Sequence, residues 1–208
     1  MTTTARRLLL PPGEVAELCH RIGLVLPPTF AAERAPLHTA GLLRDGAVHP
    51  SLAAGLAATC SPQLSVLVAS TVGEVAAALG VRDDLGGSLL RAGPSPVEVA
   101  AWPAERLGPE LARVVPPLPS GPRPDLHLPV TDLATSQVLR RLVVGTLHAT
   151  VVTSAGVVAQ LPWLATAEGW LAVTPAEVRD GVRWVHVRAV EADDLSCCLA
   201  PWIAEALA

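Results

Sequence analysis

The sequence predicts an α+β fold with a mainly antiparallel sheet built from two pseudo-repeated β4α halves, with N-terminal helices and a closing C-terminal helix. Three observations predict it. "VEVAAWPAERLGPELARVV" and "VHVRAVEADDLSCCLAPWI" share one layout, an alternating strand, a short link and an acid-containing amphipathic helix, and they lie roughly 90 residues apart. Each is preceded by further strand-like runs, so the order strand, strand, strand, strand, helix occurs twice. The links between those runs are too short for the crossovers that parallel strands require.

Taken in order, "MTTTARRLLLPPGEV" opens with Arg6-Arg7 and three leucines, a signal-like start that Pro11-Pro12-Gly13-Glu14 ends too early for targeting. "GEVAELCHRIGLVLPP" places Val15, Leu18, Cys19 and Ile22 on one helical face and stops at Pro27-Pro28. "TFAAERAPLHTAGLL" is interrupted by Pro36 and reads as two short helices or one kinked one. In "GLLRDGAVHPSLAAGL" (41–56), Asp45-Gly46 makes a turn, because glycine accepts positive φ and aspartate can bond back to the backbone. Pro50 suits a first helical position, and Leu52, Leu56 and Thr59 form one buried stripe.

The pattern then changes to strands. "QLSVLVAST" (63–71) is short, continuous and β-branched, and "GEVAAALGV" (73–81) and "GSLLRAG" (87–93) flank the turn-like "RDDLGG". "PVEVAAW" (96–102) alternates, and a helix starting at Pro103 puts Leu107, Leu111 and Val114/Val115 on one side. "PPLPSGPRPDLHLP" (116–129) holds six prolines, a density no helix or central strand survives. It reads as a stiff connector, with a polyproline ligand as the rival. Beyond it come a helix over 131–145, strands at 147–156, 157–166, 169–175 and 182–190, and a helix carrying Leu195, Cys198, Leu199, Trp202 and Leu207. The chain therefore divides into 1–115, the connector 116–129 and 130–208, expected to form one compact domain.

Composition excludes several kinds of chemistry. All fifteen basic residues are arginine, so no Schiff-base, P-loop or general-base lysine exists. A net charge of −4 without a basic run argues against nucleic acid, which demands phosphate neutralisation. No apolar stretch reaches the roughly 18 residues of a membrane span, which predicts a cytoplasmic protein. Cys19 and Cys60 are isolated and Cys197-Cys198 adjacent, a pattern of small buried hydrophobes rather than of bridges or zinc ligands.

No catalytic constellation emerges. Ser154 in "TSAG" has no nucleophile-elbow context, His49 lies in the turn before a helix, where a cap or solvent role is commoner than catalysis, and His20, His38 and His127 show no metal spacing. The pairs Asp83-Asp84 and Asp193-Asp194 read as solvated acids or as answers to a helix dipole. Neither cofactor nor metal is implied. One surface pattern does stand out. Trp184, His186 and Arg188 share a strand face, as do Trp170, Ala172 and Thr174, and as do His148, Thr150 and Ser154. If these strands are neighbours, one sheet face combines Trp, His, Arg and Thr, a mixture suited to a protein partner. Alternatively helices cover that face and the tryptophans are core.

"LHTAGLLRDGAVHPSLAAGLAATCSPQLSVLVAS" resembles the EspG-like family associated with ESX secretion in actinobacteria, in which a helix, a turn-plus-helix and a first strand occur in this order. "EGWLAVTP" followed by "WVHVRAVEADDLSCCLAPWI" is similar to the family's tail. The resemblance implies a non-enzymatic cytosolic chaperone that masks an apolar tip on PE–PPE-class partners until type VII secretion takes them. His148, Trp170, Trp184, His186 and Arg188 are the candidate partner contacts. The chain is short for the family, with the partner-groove region reduced to the helix at 131–145 and a brief "RDDLGG" loop, so a different or smaller partner fits too. Two other readings stay open. One is a small-molecule binder or enzyme with a pocket between the halves, using His148 and His186. The other is a homodimer formed through similar surfaces on the two halves.

Overall fold

A computed structural model describes residues 6–207. In chain order its elements are β1 (Arg6–Leu10), α1 (Pro12–Arg21), β2 (Leu43–Arg44), β3 (Ala47–Val48), α2 (Pro50–Cys60), β4 (Leu64–Ser70), β5 (Val75–Arg82), β6 (Leu85–Ala92), β7 (Val97–Pro103), α3 (Leu107–Val114), β8 (Leu126–Pro129), α4 (Val130–Leu133), α5 (Gln137–Leu142), β9 (Val143–Thr153), β10 (Gly156–Thr166), β11 (Gly169–Arg179), β12 (Val182–Val190) and α6 (Asp194–Leu207). Ten strands form one sheet in the order β1-β7-β6-β5-β4-β9-β10-β11-β12-β8, and β2 with β3 forms a separate hairpin.

The fold is α+β and the sheet antiparallel, as the short links require. Its two four-stranded meanders join at β4 and β9, paired from Leu64↔Thr153 to Ser70↔Leu147. Outward from this pair the strand order repeats itself in both directions, a meander and then the half's own first strand. The repeat is longer than the sequence suggests, because each half also begins with an outer strand. β1 pairs with the last meander strand β7, and β8 pairs with its counterpart β12. Both outer strands sit at sheet edges, where the prolines around β8 remove no needed ladder bond.

Each sheet face has its own cover. On one face, Leu107 and Leu111 of α3 and Leu195 and Leu199 of α6 pack over Val66, Leu79, Trp102, Leu147 and Trp163. On the other, α1 and α2 bury Leu18 and Leu56 against Leu89 and Val99, and Leu139 of α5 packs with Leu171 and Val187. α2 starts at Pro50 as predicted and sits unusually close to the sheet. A Cβ on Gly80 would lie 2.0 Å from the Ala58 carbonyl oxygen, and one on its cross-strand partner Gly87 2.0 Å from that of Gly55. At the outer edge, Arg7 on β1 bonds Glu110 at 2.7 Å and Glu98 at 3.0 Å, so Arg7 links buried Glu110 of α3 to Glu98 of β7.

Four expectations are corrected. The helix begun at Gly13 ends at Arg21 rather than at Pro27, because Gly23 adopts φ 71° and the Leu24 amide donates back to the Cys19 carbonyl. Residues 31–42 are not helical. They lie along α1, where the amides of His38 and Thr39 donate to Glu14 Oε1 at 3.0 and 3.3 Å instead of to helical carbonyls. The helix expected over 131–145 is two short ones, since Ser136 caps α5 through its hydroxyl and β9 already begins at Val143. Arg6–Leu10, read as a signal-like start, is a strand.

Candidate functional site

The second half carries every candidate contact, and register decides which of them meet. Across β11 and β12, Trp170 opposes Val190, Ala172 opposes Arg188 and Thr174 opposes His186, so Trp170, Trp184, His186 and Arg188 share one face. Trp163 opposes both Ala172 and Leu147, which places Leu147 on that same face and His148 on the opposite one. His148 is exposed there, between Ala69 of β4 and Pro162 of β10. The two imidazoles of a His148–His186 pocket therefore do not converge.

The remaining four residues have unequal surroundings. Trp170 is 3% exposed, 6.4 Å from the Trp163 ring, and its indole N–H donates to the Pro116 carbonyl at 3.0 Å. It is core. The connector is what covers it. Gly121 donates to the Glu168 carbonyl, and Arg123 reaches the carbonyls of Trp170 and Val190 while pairing with Glu191. The proline-rich segment is thus pinned across the ends of β11 and β12.

Arg188 is half-buried beside α6. Burial pushes the Cys198 thiol up, and the Arg188 charge works against that shift. Trp184 is half-buried opposite Pro129, with the Arg179 guanidinium 5.3 Å over its ring. The His186 Nε2 lies 2.6 Å from Asp125 Oδ1, and the His127 ring stands 4.3 Å from the His186 ring at 36°. No sequence pattern marks Asp125 or Arg179, and His127 shows no metal spacing there. The alternation Leu126-His127-Leu128 is a strand signal, masked by the surrounding prolines.

Beside this face the sheet divides. The β10–β11 ladder holds only the pairs from Trp163↔Ala172 to Thr166↔Gly169. Pro162 and Pro175 lack the N–H donors that would continue it, and β11 is irregular between Pro175 and Val178. The distal parts of the β9–β10 and β11–β12 hairpins are consequently not bonded to one another. Near their tips Val157, Val158, Val178 and Val182 are exposed, Val178 at 68%. A groove between the halves does exist, between α3 and α6. It is lined by Leu107, Leu111, Cys197, Ala200 and Ile203, with Asp83 as its charged residue, and holds no acid–base pair. Among the described residues no helix is long and apolar enough to cross a membrane.

The EspG family model matches residues 29–200. The fold is similar to that of the Mycobacterium tuberculosis type VII secretion system chaperone EspG5, solved in complex with the PE25-PPE41 dimer. That likeness has a TM-score of 0.58 at 11% identity and covers 93% of this chain and 94% of the other. No curated protein matches the sequence.

Proposed function

Since the chain belongs to the EspG family, we propose that it is a cytoplasmic chaperone or adaptor that masks an apolar surface of a PE–PPE-like type VII secretion substrate. The observation that carries this reading is the pair of unbonded hairpin ends, which expose Val157, Val158, Val178 and Val182. Strands that leave apolar side chains and backbone edges open are liable to pair or aggregate unless a partner covers them. Trp184 stands nearest that surface on β12, with His186 and then Arg188 following along the same face toward the bonded end of the sheet, a mixture of aromatic and guanidinium groups typical of anchors for a protein partner. Trp170, on the same face but buried under the connector, does not touch the client. The EspG5 complex, with its PE25-PPE41 dimer, supports the class of client.

The test is co-expression of tagged chain with PE–PPE pairs from the same genome, followed by size exclusion with light scattering. We expect a stoichiometric complex with one pair. Trp184→Ala weakens its retention about tenfold or more and leaves the melting temperature nearly unchanged. A wild-type chain that stays alone or self-associates against every pair refutes the reading. Parallel loss of binding and thermal stability in Trp184→Ala shows that Trp184 is core and removes it from the contact surface.

A further inference from the structure

The edge formed by β8 and β12 gathers three metal-ligating groups, of which the chaperone reading uses His186 alone. His127 and His186 are a directly opposed cross-strand pair, so both imidazoles leave the sheet on one side. Asp125 precedes β8 by one residue and turns its carboxylate to the same point. One donor atom from each of the three lies within 4.8 Å of the others. In a tetrahedral zinc site with ligand bonds of about 2.0–2.2 Å, neighbouring donors stand about 3.3–3.6 Å apart. Small side-chain rotations reach that spacing.

We propose that Asp125, His127 and His186 bind a divalent transition-metal ion of the zinc class. Two imidazoles and one carboxylate form a borderline donor set matched to zinc and its neighbours rather than to calcium or magnesium, which prefer all-oxygen shells. The ion takes the place of the proton between His186 Nε2 and Asp125 Oδ1, and His127 supplies the third bond. A fourth position stays open to water.

The supporting structure holds these ligands in place. Arg123, two residues before Asp125, is fixed to the Trp170 and Val190 carbonyls and to Glu191. Its charge is thereby engaged away from the site. Arg188, next along the same face as His186, lies beside Cys198. The bound ion joins the end of the proline-rich segment to β12 and so fastens the outer strand of the second half. The spacing of the ligands in sequence hides the site, because Asp125 and His127 are local but His186 comes 61 residues after Asp125.

The test uses the full chain without any client, which keeps its outcome separate from that of the chaperone reading. Zn²⁺ is titrated calorimetrically at neutral pH, and Co²⁺ serves as the spectroscopic probe. We expect one saturable site and visible Co²⁺ bands without a thiolate charge-transfer band. We also expect a Zn²⁺-dependent rise in melting temperature. His127→Gln and His186→Gln each weaken binding about tenfold or more and abolish the thermal shift, while the double variant Cys197→Ser/Cys198→Ser leaves both unchanged. No saturable binding, or unchanged binding in the histidine variants, overturns the proposal. So does a thiolate band lost with the cysteines.

Discussion

Replacing Gly87 by alanine drives a methyl group into the backbone of α2. The new Cβ lies 2.0 Å from the Gly55 carbonyl oxygen and 2.6 Å from Thr59 Oγ1. Neither atom can swing away. The first is backbone, and the Thr59 hydroxyl is held by its own 2.9 Å bond to the Gly55 carbonyl. Ordinary contact begins at 3.4 Å, so α2 must retreat by about 1.4 Å, the difference from 2.0 Å. That retreat loosens Leu52 and Leu56, which are buried in the same cluster as Leu89 and Val99. Overpacking of this kind costs about 1–3 kcal/mol, and a clash with backbone belongs at the upper end. We therefore expect a loss of about 3 kcal/mol, or a fall of about 6–12 °C in melting temperature for a chain of this size.

Equilibrium urea unfolding followed by tryptophan fluorescence measures it, with an unchanged m-value showing that only stability moved. Gly108→Ala is the control. Beyond its chain neighbours its Cβ meets nothing nearer than 3.6 Å, and the helical preference for alanine is set against the crowding of a residue that precedes Pro109, so stability should move by less than about 1 kcal/mol. A Gly87→Ala protein as stable as wild type would refute the seating of α2 on the Gly80–Gly87 pair.

Two further predictions concern buried polar groups. Burial pushes the Glu14 carboxyl up, but bonds from Thr39 and His38 more than offset it and hold the group below its ordinary 4.5. The folded state thus favours ionised Glu14, a stabilisation present above that ordinary value and lost as pH falls through the lower folded value. Glu14→Gln should cost about 1–2 kcal/mol at neutral pH, and urea titrations at successively lower pH should show the gap to wild type closing; a constant gap would contradict it. Trp170→Phe removes the donor to the Pro116 carbonyl and should cost about 1–3 kcal/mol. Hydrogen exchange should also quicken at the Gly121 amide, which donates to Glu168 in the same pinned segment; unchanged exchange there would mean that the segment is held independently of Trp170.

Much of the fold was legible because its signals are local. Alternation in "VEVAAW" and "VRWVHVRAV" places Trp184, His186 and Arg188 on one face, and a strand's period of two leaves no other arrangement. Pro50 and the Leu52–Leu56–Thr59 stripe likewise specify α2 from within a few residues. Where local signals competed, the reading failed. Proline density hid the edge strand at Leu126–Pro129, and a five-residue strand at Arg6–Leu10 is too short to display a period.

Distance in the chain accounts for the rest. Whether a side chain on a known face is core or surface depends on what later segments lay over it. Trp170 and Trp184 look alike in sequence, but the connector and α6 bury one while the sheet edge leaves the other half open. His148 alternates as the other candidates do, yet the register between β9 and β10 turns it to the opposite side. The sequence by itself determined the strands of both meanders, their antiparallel sense and the composition of each strand face, because those follow from period and link length. Only the tertiary structure decided that the halves share one sheet, which tryptophan is covered, and that Asp125 and His127 meet His186, because those depend on pairings between residues far apart in the chain.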